Sequence, residues 1–313
     1  MMSEPVLVTG ASGYIGGLLI EALLARGVPV RAMSRRPEGL AALAARGVEV
    51  VVGDVLDRQS LRRALDGVRA AYYLVHSMDM PGSEIAFMEY DRFGARNFAL
   101  EGRHLDQIIY LGGLGNPGDD LSPHLRSRLE VGEILLQGQA PTTVLRSGII
   151  IGAGSSSFQM LRYLVERLPV MVCPSWVGTR CQPIGVADVL AYLVGSLGSR
   201  EATGRSLDIG GPEILTYRGM MDRTAKLMGK HLTIVTVPVL TPRLSAYWVD
   251  LITPLPASLA HALIEGLKNE VIVRDDTVRR IMPIPLTPFD DAVRSALRGD
   301  RRLAGFDGHR DPA

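Results

Sequence analysis

A glycine-spaced segment near the N-terminus constrains the fold of this chain more than any other feature of the sequence. Residues 9–16, TGASGYIG, join a near-continuous apolar run to residues that repeat at helical spacing. An uninterrupted apolar run of this length is typical of a strand that is covered on both faces. Glycines between such a strand and a helix allow a tight turn and a close approach of the two elements. The segment therefore predicts a strand-turn-helix unit at the start of a parallel sheet.

The first half of the chain continues this unit as an alternation of strands and helices. The predicted strands are residues 5–9, 28–33, 48–52, 70–75, 107–111 and 142–151. Helices are predicted after residue 15, over residues 58–65 with Asp57 as the N-cap, and over residues 83–101 and 124–137. This alternation specifies an α/β fold with a doubly wound parallel sheet and right-handed crossovers.

The glycine spacing also predicts what the turn binds. Gly10 permits the tight turn, Gly13 lets the backbone approach a pyrophosphate, and Gly16 lets the helix pack on the sheet. The N-terminus of the helix supplies backbone N–H groups and the positive end of a dipole. We therefore predict a dinucleotide site that uses the whole turn, namely Gly10, Ala11, Ser12, Gly13, Tyr14, Ile15 and Gly16.

The second half of the chain has a looser, mostly helical pattern. Helices are predicted over residues 156–168, 186–197, 217–228, 242–253, 258–267 and 288–298, and strands over residues 206–209 and 232–237. We divide the chain into a Rossmann-type dinucleotide-binding domain at residues 1–155, to which segments near residues 180–211 return, and an interleaved substrate or partner region at residues 156–298. Residues 299–313 are polar and are expected to form a flexible tail.

The residues that follow the second and third strands indicate which dinucleotide is bound. The second strand leads into Arg35 and Arg36. A site for NAD would carry an acidic residue there, whereas an arginine accommodates the 2′-phosphate of NADP. The two arginines favour NADP(H), with NAD(H) as the alternative, although they could be solvated surface charges. Asp54 and Val55 follow the third strand, where adenine is expected, and Asp54 could instead open the next helix.

Several motifs together resemble the extended and atypical short-chain dehydrogenase/reductases. After the glycine turn come residues 53–55 (GDV), residues 145–152 (LRSGIIIG, with serine where the family usually has proline), residues 183–189 (PIGVADV) and residues 207–213 (LDIGGPE). Residues 73–78 (YLVHSM) and 124–128 (HLRSR) narrow the resemblance to NmrA-like NAD(P)-binding proteins, in a bacterial branch related to the nucleotide-binding accessory subunit of respiratory complex I. The resemblance covers most of the chain, and it implies a Rossmann fold, NAD(P) as the ligand and substrate contacts from the C-terminal part.

The chain departs from this family at the residues that reduce ketones. Family members with that activity use a serine after the fifth strand and a Tyr-x-x-x-Lys pair on the next helix. Here Gly113 stands at the serine position, His124 at the tyrosine position and Arg128 at the lysine position. His124 could act as a neutral base, and Arg128 could bind ribose but cannot exchange a proton. The alternative is that His124 is a surface residue beside the helix cap.

Further candidates lie at strand ends and in the loose segment expected above the cofactor. Val75 and His76 follow the fourth strand, at the edge where ligands bind in open α/β sheets, and are predicted to contact the cofactor. The predicted substrate contacts are Ser77, Gly113, Trp176, Arg180 and Gln182. For Trp176 core packing is the favoured alternative, and His76 and Ser77 fit a structural strand end equally well.

Composition excludes several other classes of protein. A net charge of +1 with scattered Lys and Arg argues against nucleic-acid binding. Cys173 and Cys181 lack metal-ligand spacing, so no metal site is predicted. The sequence has neither a signal peptide nor an apolar run of membrane-spanning length, which predicts a cytoplasmic protein. For residues 238–267, which include Tyr247 and Trp248, domain packing or a homodimer contact is favoured over peripheral membrane contact.

Three functions remain at this point. The first is an NADP(H)-dependent oxidoreductase that acts on an unidentified small carbonyl, quinone or sugar-like substrate. The second is a regulator that senses NADP(H) without turnover, and the third is an accessory or scaffold protein like the complex I subunit. The cofactor motifs favour the first function, whereas the missing tyrosine and lysine favour the second.

Overall fold

Seven parallel strands form the central sheet in a computed structural model that describes residues 4–77, 84–116, 118–237 and 257–299. They are β1 (Val6–Thr9), β2 (Val30–Ser34), β3 (Glu49–Val52), β4 (Ala70–Tyr73), β5 (Gln107–Gly113), β6 (Thr142–Ser147) and, after four strands that lie outside this sheet, β11 (Ser206–Ile209). The strand order is β11-β6-β5-β4-β1-β2-β3. The direction of winding reverses between β1 and β4, and such a reversal opens a crevice outside the carboxyl ends of the two strands.

Helices and short strands complete the described structure. In the first half the helices are α1 (Tyr14–Leu24), α2 (Ala41–Ala44), α3 (Arg58–Leu65), α4 (Glu84–Glu101) and α5 (Pro123–Leu136). Later helices are α6 (Ser156–Arg167), α7 (Val186–Ser196), α8 (Tyr217–Leu227), α9 (Ala257–Gly266), α10 (Thr277–Ile281) and α11 (Phe289–Leu297). The short strands pair as β7 (Ile150–Ile151) with β10 (Ile184–Gly185), β8 (Val170–Pro174) with β13 (Thr233–Val237), and β9 (Arg180–Cys181) with β12 (Leu215–Thr216).

Two hydrophobic clusters cover the two faces of the sheet. Val6 and Val8 of β1 point into a cluster with α1 and α7, and Leu7 between them points into the cluster under α3, α4 and α5. Successive side chains of a strand alternate between faces. A strand that is covered on both sides therefore requires the continuous apolar run that the sequence shows.

A third hydrophobic cluster belongs to the C-terminal region. It includes Phe158, Met220 and Val293, and it reaches Leu114 and Leu125, which follow the carboxyl end of β5. The C-terminal region therefore packs over the edge of the sheet where the crevice opens. Within the described ranges, no helix is both long enough and apolar enough to cross a membrane.

The predicted fold class is confirmed, and the differences are local. The strand predicted over residues 142–151 is two strands, because the chain leaves the main sheet at Gly148 and β7 pairs with β10 instead of β5. The short strand β8 was not predicted, and the helix predicted over residues 242–253 lies outside the described residues. The strand β11 pairs with β6, and α7 packs on α1. The domain boundary at residue 155 stays a prediction.

A buried ion pair joins the edge strand β11 to β6. Arg146 Nε donates to Asp208 Oδ1 at 2.7 Å, and Arg146 Nη1 donates to the carbonyl of Gly115 at 3.3 Å. Asp208 is only 4% exposed. Burial raises the pKa of Asp208, and the neighbouring Arg146 opposes this effect.

We expect Arg146→Met to lower the free energy of unfolding by about 3–5 kcal/mol, since it leaves a buried carboxylate without its cation. Urea unfolding measures this change. The control is Arg218→Met, which removes an exposed pair with Asp222 at 3.8 Å and is expected to cost about 0–1 kcal/mol. An equal decrease in the free energy of unfolding in the two variants would show that the buried pair of Arg146 and Asp208 does not stabilise the fold.

Candidate functional site

A cavity of about 700 Å³ opens at the carboxyl edge of the sheet. The glycine turn after β1, the residues after β4 and β5, and the start of α5 line one side. The other walls come from α6, β8, α8 and α9. The predicted site residues that line it are Gly10, Gly13, Tyr14, Ile15, Gly16, His76, Gly113, His124, Arg128 and Trp176. The structure thus brings the glycine turn together with the two residues that replace the family's tyrosine and lysine.

The glycine turn has the close contacts that only glycine allows. Gly10 has a φ of +65°, and a Cβ there would lie 2.6 Å from the carbonyl oxygen of Leu74. A Cβ on Gly16 would lie 2.2 Å from the carbonyl oxygen of Gly10. Gly13, the N-cap of α1, has no side-chain hydrogen bond to the helix, and the N-terminus of a helix presents its first N–H groups and the positive end of a dipole. These residues fit the diphosphate of a dinucleotide.

The predicted 2′-phosphate residues lie beside this turn. Arg35 and Arg36 are exposed just after β2. The Ser34 hydroxyl accepts a hydrogen bond from the backbone N–H of Arg36 at 3.1 Å and lies 3.2 Å from Oγ of Ser12. The two arginines therefore stand on a segment that is tied to the glycine turn.

The predicted cofactor residues after β3 and β4 make local contacts at the carboxyl edge of the sheet. Asp54 Oδ1 accepts a hydrogen bond from the backbone N–H of Leu56 at 2.9 Å, so this carboxylate helps to shape the entry to α3. Val55 is buried, and Val75 packs against the same cluster. The predicted contacts of Asp54, Val55 and Val75 with the cofactor stay predictions. Asp57 caps α3 as predicted.

His124 is neutral at physiological pH. It lies in the first turn of α5, is partly buried and lines the cavity, so it is not a solvent-facing cap residue. Burial, followed by the charges of Arg128 and His76, lowers the pKa of His124 to about 3. Burial is the largest of these causes. A neutral imidazole can accept a proton or donate a hydrogen bond, but it is a weak acid.

Arg128 places a fixed positive charge between the end of β5 and the cavity. Its Nη2 donates to the carbonyl of Leu111, and its guanidinium lies 5.6 Å from the ring centroid of Tyr110. A Cβ on Gly113 would lie 3.3 Å from the Cβ of Arg128 and 3.3 Å from Leu125 Cδ2. The absence of a side chain at the usual serine position therefore leaves room for α5 to approach the strand.

A buried carboxylate that sequence reasoning missed connects the two sides of the site. Asp91 of α4 is 5% exposed. Its Oδ1 accepts from the backbone N–H of Ser77 at 2.8 Å, and its Oδ2 accepts from the Ser127 hydroxyl at 2.9 Å. Asp91 therefore holds the segment of His76 in a fixed position relative to α5. The only signal in the sequence was an acidic residue at a position that proves to be on the inner side of a helix.

Three of the predicted substrate residues lie outside the cavity lining. Ser77 is buried and bonded to Asp91. Arg180 is exposed and pairs with Glu270 at 2.7 Å. The Gln182 side chain donates to the carbonyl of Gly211 at 2.7 Å and accepts from the backbone N–H of Val273 at 3.0 Å. Arg180 and Gln182 thus join loops of the C-terminal region, and this placement does not support the predicted substrate contacts. Trp176, in contrast, lines the cavity.

The far wall of the cavity is apolar, and we name it the apolar chamber. It is represented by Leu161, Leu164, Met171, Met221, Leu263 and Leu267. The sequence analysis assigned these positions only to helices or loops, because an apolar helix face that lines a cavity has the same spacing as one that packs in a core. Among the described residues there is no cluster of His, Cys, Asp and Glu that could hold a metal ion.

Comparisons with known proteins agree with this geometry. Residues 2–86 match the model of the NmrA-like family. A reductase of (4-alkanoyl-5-oxo-2,5-dihydrofuran-3-yl)methyl phosphate from Streptomyces griseus is 27% identical over 300 residues, which are 91% of this chain and 95% of the relative. The resemblance to the NmrA-like family is thereby confirmed over residues 2–86. These matches give no support to the link with the complex I subunit.

Solved structures share the fold over almost the whole chain. The Citrobacter sp. triphenylmethane reductase complexed with NADP(H) has a TM-score of 0.74 at 21% identity and covers 93% of this chain and 99% of its own. The NADPH-dependent quinone oxidoreductase QOR2 from Escherichia coli, complexed with NADPH, has a TM-score of 0.74 at 20% identity, with the same coverage. At these identities the likeness establishes the Rossmann-type fold.

We expect Asp91→Ala to lower the free energy of unfolding by about 2–4 kcal/mol, because the Ser77 N–H and the Ser127 hydroxyl both lose a buried acceptor. Ser127→Ala removes one of the two bonds and should cost about 1 kcal/mol. Urea unfolding measures both. Glu89→Ala on the same helix is the control, since Glu89 is 61% exposed on its side chain. A loss in Asp91→Ala no larger than in the control would show that the bridge is unimportant.

Proposed function

We propose that this chain is an NADP(H)-dependent reductase whose acceptor is a conjugated molecule such as a quinone. One observation carries the proposal. A glycine turn that fits a diphosphate opens into the same cavity as His124 and Arg128, where a cation is present and the tyrosine position holds a neutral side chain.

Residues of this chain are suited to hold three parts of the cofactor. The N–H groups at the start of α1 would hold the diphosphate, Arg35 and Arg36 the 2′-phosphate, and Arg128 the ribose. Bound NADPH would supply a hydride to the acceptor.

Arg128 and His124 suit an acceptor that needs no acid from the protein. The guanidinium of Arg128 stabilises negative charge that develops on the acceptor oxygen, and it keeps its own proton. Neutral His124 can add a hydrogen bond to that oxygen. A reduced quinone spreads its charge over a ring and can take its proton from water, whereas the alkoxide of an isolated ketone needs a proton donor nearby. The site therefore favours quinones over simple ketones.

The names of related proteins support a reductase. The Streptomyces griseus relative, which matches along almost its whole length, is named a reductase. The two solved structures are named a triphenylmethane reductase and a quinone oxidoreductase, each complexed with NADP(H) or NADPH. The substrates in these names belong to those proteins, and the acceptor of this chain is proposed from its own cavity.

The second candidate is a regulator that binds NADP(H) without turnover. The observation that favours it is the replacement of the usual tyrosine and lysine by His124 and Arg128. The two candidates differ in one measurable property, because only the reductase oxidises NADPH in the presence of an acceptor. The predicted cytoplasmic location and homodimer stay predictions under either candidate.

We expect the protein to bind NADPH more tightly than NADH, and Arg35→Ala/Arg36→Ala to reduce the affinity for NADPH by about tenfold or more. A charged hydrogen bond to a phosphate is worth about 1.5–3 kcal/mol. Titration of cofactor fluorescence measures both affinities. Arg63→Ala, at an exposed position on α3, is the control. Equal affinities of the parent protein for NADPH and NADH would refute the assignment of the two arginines.

We expect NADPH oxidation with 1,4-naphthoquinone and much slower oxidation with the matched ketone 1-tetralone. Because the pKa of His124 is about 3, its charge does not change between pH 5 and 8. The titration of His124 should therefore cause no change in kcat/KM for the quinone in that range. His124→Phe should lower kcat/KM by roughly tenfold through the lost hydrogen bond. The same measurement on His76→Phe shows how much the second histidine that lines the cavity contributes to kcat/KM.

Three results would count against this proposal. NADPH binding without oxidation by any quinone would favour the regulator. A faster reaction with the ketone would show that an acid is present. Unchanged rates in His124→Phe would remove His124 from the reaction.

A further inference from the structure

We infer that the cavity binds a lipophilic ligand, so that the acceptor of the proposed reductase carries a hydrocarbon tail that fills the apolar chamber. The reacting head of this acceptor would lie near His124 and Arg128. The inference deepens the proposed function and rests on it, but the binding of a lipophilic ligand can be tested separately from turnover.

The distribution of charge in the cavity is the first argument. Among the described residues that line it, Arg128 is the only one with a permanent charge. This charge lies at the sheet, where it also donates to the carbonyl of Leu111. A phosphate or a sugar in the chamber would lose its hydration without gaining partners, which is costly. The chamber therefore selects against the sugar-like substrates that the sequence left open.

The side chains of the chamber are the second argument. Leu161, Leu164, Leu263 and Leu267 present branched hydrocarbon to the cavity, and Met171 and Met221 present flexible thioethers. Methionine adapts to ligands of irregular shape. Protein interiors are normally packed without such voids. An apolar space of this kind is therefore explained more simply by a ligand that fills it than by the needs of the fold.

The size and the entrance of the cavity are the third argument. A volume of about 700 Å³ lies within the range that encloses a drug-sized ligand. A cofactor held at the glycine turn and Arg128 would occupy the sheet side of this space, and the apolar chamber lies on the other side. Val170 and Val172 of β8 line the cavity while each is 59% exposed. The described part of the rim that β8 forms is therefore apolar as well, which suits the entry of a hydrocarbon chain.

Turnover with a matched series of quinones tests whether a hydrocarbon tail on the acceptor is bound. The compounds are 2,3-dimethoxy-5-methyl-1,4-benzoquinone and its 6-pentyl and 6-decyl derivatives, which share one head. Each methylene that becomes buried should lower KM by about fourfold, because its burial is worth about 0.8 kcal/mol. Leu164→Gln and Leu263→Gln should remove this gain in KM with chain length. Val235→Gln is the matched control, since Val235 is 46% exposed and does not line the cavity.

Binding of the uncharged dye Nile red tests the chamber without turnover. The dye should fluoresce on the parent protein, and 1-decanol should displace it far more strongly than 1-hexanol does. The chain-length comparison uses the parent protein, so it does not depend on whether a variant folds. Leu164→Gln and Leu263→Gln should weaken dye binding at least tenfold, and Val235→Gln should not.

The outcomes separate the two proposals. Failure of the dye to bind, or displacement that does not depend on chain length, overturns the lipophilic ligand even if quinones are reduced. Chain-length-dependent binding without oxidation of NADPH by any quinone overturns the reductase and retains the lipophilic ligand. If KM is the same for the tailless and the decyl quinone, the inference that the acceptor carries a hydrocarbon tail is wrong.

Discussion

The contact between the start of α1 and the turn before it determines the geometry of the whole site. Gly16 approaches the carbonyl of Gly10 so closely that no Cβ fits between them, and Gly10 in turn touches the carbonyl of Leu74. The first contact aims the N-terminus of α1 at the crevice. The second fixes the end of β4 beside the end of β1, at the point where the winding of the sheet reverses. The cavity, the segment of His76 and the approach of α5 all depend on this arrangement.

Local sequence rules predicted most of the sheet and failed where distant segments meet. The strands β1 to β5 and their helices follow from apolar runs, helical spacing and residues such as Asp57, because each signal is local. The position of His124 also followed from its place after the fifth strand. Arg180 and Gln182 were assigned to the substrate, but their partners are Glu270 and the backbone of Gly211 and Val273. No pattern around residue 180 indicates these contacts, because they are made by segments far along the chain.

The chemistry of the site is set by packing as much as by residue type. The pKa of His124 is low chiefly because the side chain is withdrawn from water, and the charge of Arg128 adds to this. Burial depends on how α6, α8 and α9 surround the crevice, and a sequence does not reveal whether apolar helix faces meet or leave a space between them. An unfilled apolar space weakens a fold, since its walls lose contacts with neighbouring atoms. The chamber therefore represents a balance between stability and the capacity to bind.

The position of β11 at the edge of the sheet has a consequence for biosynthesis. On the ribosome, β6 emerges well before residues 206–209, and until then it presents a row of unpaired backbone groups to other chains or to chaperones. At about 5–20 residues per second this interval lasts several seconds. Arg146 must also wait for its carboxylate partner during that time. The nascent first half of the chain is therefore most vulnerable to aggregation just before the last strand of its sheet is translated, and ribosomal pausing within residues 150–205 would lengthen this period.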